Sequence, residues 1–396
     1  MSASSSRTSG LRRIGLALFM AGFATFSLIY CTQPLLPEFA REFGVTPAES
    51  SLALSLTTGC LAVSILLAGA LSEMLGRRGL MFVCMAGAAI LNLISSVAPN
   101  WTALLVTRAL EGVVLGGVPA VAMAYLAEEI PKKQLGFAMG LYVGGTAFGG
   151  MIGRVAIGAL TEVTSWRVAL GTMACVDFLF AVLFIFLLPR SRNFTRRPGF
   201  SLAFHLDAWG GHLRNRDLPW LFLTGFLAMG AFVTVYNYAG FRLIGAPYSL
   251  NQTEIGLIFL AYILGMAASS LAGALADRFG RARIVMAGAA VTLLGLVLTL
   301  LTPLAAIIAG ICIITIGFFA THAVASGWVG SLAARNKSHA SSLYLLGYYI
   351  GSSVLGSVGG WFWHEGGWPA IVVFCGCLVA AILAIAVFLG RRGGAA

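Results

Sequence analysis

Five ionisable side chains interrupt stretches of sequence that are otherwise apolar. Arg108 and Glu111 stand three residues apart in LLVTRALEGVV, and Arg154, Asp177 and His322 stand singly. On a helix, positions i and i+3 share a face, so Arg108 and Glu111 can pair. A carboxylate beside a guanidinium can take up and release a proton while the cation tunes its affinity. The same pair can also serve as a static salt bridge. Asp177 lies at the centre of TMACVDFLFAV, placed either to carry a proton or to be a partnered structural acid. His322 offers an imidazole that titrates near pH 6.5 and can carry a proton or contact a substrate. The alternative is a neutral histidine hydrogen-bonded to a neighbouring helix.

These groups need reasons, because an ionisable residue at the centre of a membrane helix costs about 2.5–3.5 kcal/mol on insertion scales. The chain is membrane-embedded by composition: 59% of its 396 residues are hydrophobic and 10% charged, where soluble domains carry about a quarter charged. Twelve runs approach the ~20 residues needed to cross a bilayer. They lie near 14–36, 50–71, 80–98, 102–126, 135–159, 166–188, 219–241, 253–276, 284–302, 304–331, 341–363 and 367–389. They do not alternate as barrel strands would, so the expected fold is all-α. Arg108 lies six residues and Arg154 five from the same end of spans four and five, roughly 8–9 Å deep at 1.5 Å per residue. The spacing predicts a cluster of Arg108, Glu111 and Arg154.

Charge sets orientation. Twenty of the 25 Lys and Arg residues fall in alternate gaps, from Arg7, Arg12 and Arg13 to Arg391 and Arg392, which places both termini in the cytoplasm. The net charge of +11 therefore reflects topology and not nucleic-acid binding. The N-terminal stretch MSASSSRTSGLRR precedes an apolar run too long for a cleaved leader, so it reads as an uncleaved first span. All seven cysteines lie in apolar runs without a metal-ligand pattern, so neither a disulfide framework nor a metal is expected. No cofactor is implied. The sequence holds no Gly-x-Ser-x-Gly, HExxH or P-loop, which argues against an intramembrane enzyme and an ATP-driven pump. A non-transporting sensor would ordinarily carry a soluble signalling domain.

The polar segment 189–217 divides the spans six and six, giving domains 1–188 and 218–396. GALSEMLGRRGLM at 69–81 returns as GALADRFGRARIV at 273–285, and YVGGTAFGGMIG at 142–153 as YIGSSVLGSVGG at 349–360. A repeat holding an even number of spans keeps its orientation, so two parallel six-helix repeats are expected. The first of these stretches resembles the loop signature of the major facilitator superfamily, Gly-x-Leu-x-Asp-x-x-Gly-Arg-Arg, with Glu73 where Asp is usual. Arg108-Ala-Leu-Glu111-Gly112 resembles its span-four signature. YCTQPLLPEFAREFGV, GFFATHAVASGWV and GYYIGSSVLGSVGGWFW are similar to bacterial inner-membrane drug and arabinose efflux permeases.

That resemblance implies a secondary transporter of the bacterial inner membrane, monomeric, working on a small organic substrate by alternating access. Proton-coupled antiport for export is the leading expectation, and uptake of a sugar or organic anion by symport the second. Gly69, Glu73, Gly76, Arg77 and Arg78, with Asp277, Gly280 and Arg281 in the other half, are implied as a conformational latch. The bland reading is that these arginines only enforce topology. Tyr30 and Gln33 on span one and Tyr236 and Asn237 on span seven, with Tyr348, suit an apolar cavity with a few orienting polar groups. Tyr238 belongs to the same span-seven group, and the alternative reading, interfacial anchoring, fits it better than Tyr30. Glycines recur at fours on span five (Gly136, Gly140, Gly144 and Gly145, Gly149, Gly153), allowing close helix packing. The antiporter signature of drug exporters falls here, but GGTAFGG lacks its proline, and span one lacks a central carboxylate.

Overall fold

The computed structural model describes residues 2–191, 202–333 and 335–393. Among these every regular element is helical. Span one is the helix Ser2–Tyr30, span two Leu52–Leu75, span three Arg77–Ser96, span five Lys132–Val163 and span six Trp166–Leu187. Span four is broken at Gly116 into Trp101–Leu115 and Gly117–Glu129. Span seven is Leu218–Ile244, span nine Arg281–Leu298 and span ten Leu304–Leu332. Span eight runs from Gln252 to Phe279 through a 3₁₀ turn at Ile258–Ala261. The last helical stretch, Lys337–Gly393, departs from helical geometry at Gly367 (φ 59°, ψ −147°), which separates spans eleven and twelve. Among the described residues, eleven continuous stretches are long and apolar enough to cross a membrane, and the break in the last makes twelve spans. Large apolar side chains such as Val83, Phe186 and Val373 are mostly exposed, as lipid-facing surfaces require.

Local sequence sets the helix ends. Thr46 and Glu49 form a reciprocal capping box before span two, and Asn251 and Glu254 form another before span eight; each satisfies two backbone donors left over at a helix start. Asn100 and Ser165 cap spans four and six. The glycine in each copy of the repeated loop motif has a specific task. Gly76 (φ 87°, ψ 143°) and Gly280 (φ 91°, ψ 140°) make the turn into the next helix in a backbone conformation that a residue bearing Cβ avoids.

Contacts gather the chain into two units, Met1–Leu35 with Val63–Phe200 and Leu36–Ala62 with Ser201–Ala396. The segment Leu36–Ala62 thus packs with elements of the sequence's second half. Ser353 Oγ donates to the Ser55 carbonyl oxygen at 2.7 Å, and Ser357 Oγ lies 2.8 Å from Ser55 Oγ.

In the first unit, span five lies against span one. A methyl group added at Gly145 or Gly149 would collide with the carbonyl oxygen of Phe19 or Phe23, and one at Gly153 would sit 2.9 Å from Ser27 Oγ. Among the described glycines of the two rows, those at 145, 149 and 153 are used in this way, whereas a methyl at Gly140 or Gly144 would meet nothing within 4 Å. The second unit repeats the device, with Gly347 and Gly351 of span eleven against the carbonyls of Phe222 and Phe226 of span seven. Close backbone approach increases dispersion contact, which matters where lipid supplies no hydrophobic drive between helices. Gly149→Val should therefore destabilise the protein by about 1–3 kcal/mol or more. Unfolding in detergent should show that loss, and Gly140→Val should leave stability nearly unchanged.

Candidate functional site

The first unit carries a buried polar network built on the end of span one. That helix stops at Tyr30, before Pro34 and Pro37. The residue before a proline is pushed out of helical geometry, and a helix that ends leaves its last carbonyls without intrahelical donors. Arg108 of span four supplies donors to them. Its Nη2 donates to the Ile29 carbonyl at 2.9 Å, and both terminal nitrogens donate to Leu28 O at 3.2 Å. Nη1 also pairs with Glu111 Oε2 at 2.6 Å and reaches Asn92 Oδ1 at 3.4 Å. Arg108 and Glu111 are both fully buried. A cation at a helix C-terminus also complements the negative end of its dipole.

Around this pair the network widens. Asn92 Nδ2 donates to Leu170 O at 3.3 Å, tying span three to span six. Asp177 of span six accepts a hydrogen bond from Ser27 Oγ of span one at 3.0 Å and is fully buried. One oxygen on each acid, Glu111 Oε1 and Asp177 Oδ1, is enclosed without a hydrogen-bond partner. Arg154 of span five donates through Nε to Gln33 Oε1 at 2.7 Å and through Nη1 to Gly150 O at 2.5 Å. Its guanidinium carbon stands 4.2 Å from the Tyr30 ring centre, within cation–π range.

The structure therefore joins Arg108 to Glu111 as their spacing predicts. Arg154 engages Gln33 and Tyr30, because span five packs on span one through its glycine row. Ser27, Asn92 and Cys31, whose thiol donates to the Leu28 carbonyl at 3.3 Å, belong to the network and escape a reading of charged residues. The signal available for them was a neutral polar group inside an apolar run.

The second unit places His322 in an aromatic setting. Its Nδ1 lies 2.9 Å from Tyr344 Oη, its ring stacks on Phe318, and the Tyr348 ring centre is 4.6 Å away. Tyr236 Oη shares a hydrogen bond with Thr315 Oγ1 at 2.8 Å. Asn237 is buried. Tyr238, expected as an interfacial anchor, is instead fully buried, with its hydroxyl donating to Gly356 O at 3.0 Å. Span seven buries nearly its whole circumference, so no face of it is left for the interface.

At the repeated turns, Arg77 holds Glu128 of span four through Nη2 at 2.6 Å and Nε at 3.2 Å. In the other half Arg281 donates to Ser331 Oγ of span ten, and Asp277 is exposed. The side chains of 69–75, Glu73 among them, lie outside the described ones.

Among the described residues, apolar spans of bilayer length, buried charges and a repeated packing device are features of membrane transporters. Residues 18–248 and 243–395 match the family model described as Major Facilitator Superfamily. The chain is 44% identical to the inner membrane transport protein YnfM of Escherichia coli over 384 residues, 96% of this chain and 90% of that one. A shorter match, 34% over 182 residues, covers 45% of the chain and 44% of the multidrug resistance protein MdtG of Proteus mirabilis. The fold is similar to the crystal structure of the nucleoside transporter NupG, with a TM-score of 0.79 at 14% identity, over 94% of this chain and 99% of that one. The chain belongs to the major facilitator superfamily.

Removing one member of a buried ion pair costs about 3–5 kcal/mol, chiefly by stranding the other charge. Arg108→Met should show a loss of that size in detergent unfolding, because it also uncaps Leu28 and Ile29. Arg108→Met combined with Glu111→Leu should recover the part owed to the stranded carboxylate. An Arg108→Met protein as stable as wild type would rule out the capping role.

Proposed function

We propose that the chain is a proton-coupled antiporter that exports small organic compounds by alternating access. The observation that carries this reading is the pair of fully buried carboxyls, Glu111 and Asp177, each with one hydrogen-bonded and one unbonded oxygen. A proton can join the unbonded oxygen without displacing an existing donor. On Glu111 it also cancels the charge facing Arg108, which holds the end of span one. Proton occupancy is in this way linked to the backbone of a span, and such linkage between a binding event and a helix position is what exchange requires.

Tyr30, Gln33, Tyr236, Asn237 and Tyr348 are the groups we assign to substrate contact. Arg154 steadies Tyr30 and Gln33, and His322 is a reserve proton site. The turns at Gly76–Arg78 and Gly280–Arg281, with Gly69, Glu73 and Asp277, serve as the latch that changes partner between states. Residues 1–188 and 218–396 act as the two six-helix bundles, with 189–217 between them. The loop charges support cytoplasmic termini, and a monomer in the bacterial inner membrane is assigned from the family likeness. The likeness to the multidrug resistance protein MdtG favours export over uptake.

The test is proton release by purified protein in weakly buffered detergent on addition of lipophilic cations, organic anions and sugars in turn. Release that vanishes in Glu111→Gln supports antiport through Glu111. Release kept in Glu111→Gln and lost in Asp177→Asn moves the carrier to span six, and release surviving both moves it to His322. Proton uptake on substrate binding would overturn antiport in favour of symport.

A further inference from the structure

We propose that a basic cavity at the turn between spans two and three binds a phosphate-bearing anion. The cavity, about 410 Å³, lies wholly within the first unit. Gly76, Arg77 and Arg78 of the turn line it, with Ile185 at the end of span six and Arg190 and Ser191 just beyond. Among the described residues that line it, none carries a carboxylate. Arg77 is engaged by Glu128, outside the cavity wall. Arg78 spends Nη2 on the carbonyl of Ile185, and Arg190 is exposed.

Two enclosed polar atoms of lining residues, Arg78 Nε and Ser191 Oγ, have no hydrogen-bond partner. Buried donors in that condition are uncommon and point to a missing acceptor. Span three also begins here, and no side chain caps its N-terminus at Gly76, so its first-turn N–H groups and positive dipole end add to the same field. Guanidinium, hydroxyl and backbone N–H donors without an acid describe a phosphate site, since phosphate offers several acceptor oxygens and at least one negative charge.

A phosphate has two sources here, a lipid headgroup and a free anion. The apolar neighbours favour the lipid: Val83 of span three is 63% exposed and Phe186 of span six 73%, which supplies a surface for acyl chains. The loop charges assign this face to the cytoplasmic leaflet, and basic pockets between spans at that level suit acidic headgroups. A bound phosphate bridging Arg78, Arg190 and Ser191 would tie the start of span three to the segment after span six.

Native mass spectrometry of the full-length protein titrated with dioleoyl phosphatidylglycerol tests the lipid source. Thermal shift with inorganic phosphate tests the free anion. Arg190→Gln and Ser191→Ala alter groups outside the helical core and should fold, and Arg78→Gln is the more severe variant. Retention of phosphatidylglycerol that weakens about tenfold in Arg190→Gln with Ser191→Ala supports a headgroup site, tenfold being about what one lost charge-assisted contact costs. A phosphate-dependent shift lost in the same variants supports a free-anion site. Binding that is unchanged in them, equally weakened by the distant Arg391→Gln, or absent for both ligands overturns the proposal.

Discussion

A helix leaves its last four carbonyls without intrahelical donors, and where its end is buried no water serves them. In this chain arginines meet several of those ends. Arg108 holds Leu28 and Ile29 at the end of span one, and Arg167 reaches Ala98 at 3.3 Å after span three. Arg78 holds Ile185 near the end of span six, and Arg242 binds the carbonyls of Thr299 and Leu301 after span nine. A guanidinium suits this task because its five N–H donors fan out in one plane and it stays charged. Buried deeply, though, a cation needs a counter-charge, and at Arg108 that requirement brings Glu111 into the membrane. The chemistry of the site thus grows from a structural need.

Close helix packing sets where that chemistry can sit. The glycine row at 145, 149 and 153 lets span five approach the backbone of span one, and Gly153 faces Ser27, which bonds Asp177. Arg154, one residue beyond Gly153, lands beside Gln33 and Tyr30. One packing surface therefore places an acid's donor and a cation's partners together. The second unit uses the same glycine device on spans seven and eleven, yet lines its interior with aromatics around His322. The two repeats share a scaffold and differ in chemistry.

The repeated loop motif divides in the same manner. Its glycine does one job in both copies, as the near-identical backbone angles at Gly76 and Gly280 require. Its arginine does not: Arg77 meets a carboxylate and Arg281 a hydroxyl. Backbone conformation is imposed by the turn itself, whereas a side chain's partner depends on what the neighbouring span presents.

Much of this protein was determined by sequence alone. Composition and run length specify membrane helices, because twelve apolar stretches of bilayer length have no other way to satisfy their backbones. Loop charge specifies an expected orientation, and the i, i+3 spacing of Arg108 and Glu111 specifies their pairing, since both are local properties. Only the tertiary structure decided which glycine row is used, that Arg154 turns to Gln33 and Tyr30, that Tyr238 is buried, and that Ser27 and Asn92 join the network. Those outcomes depend on which helices become neighbours, and neighbours are chosen by shape complementarity between faces far apart in the chain.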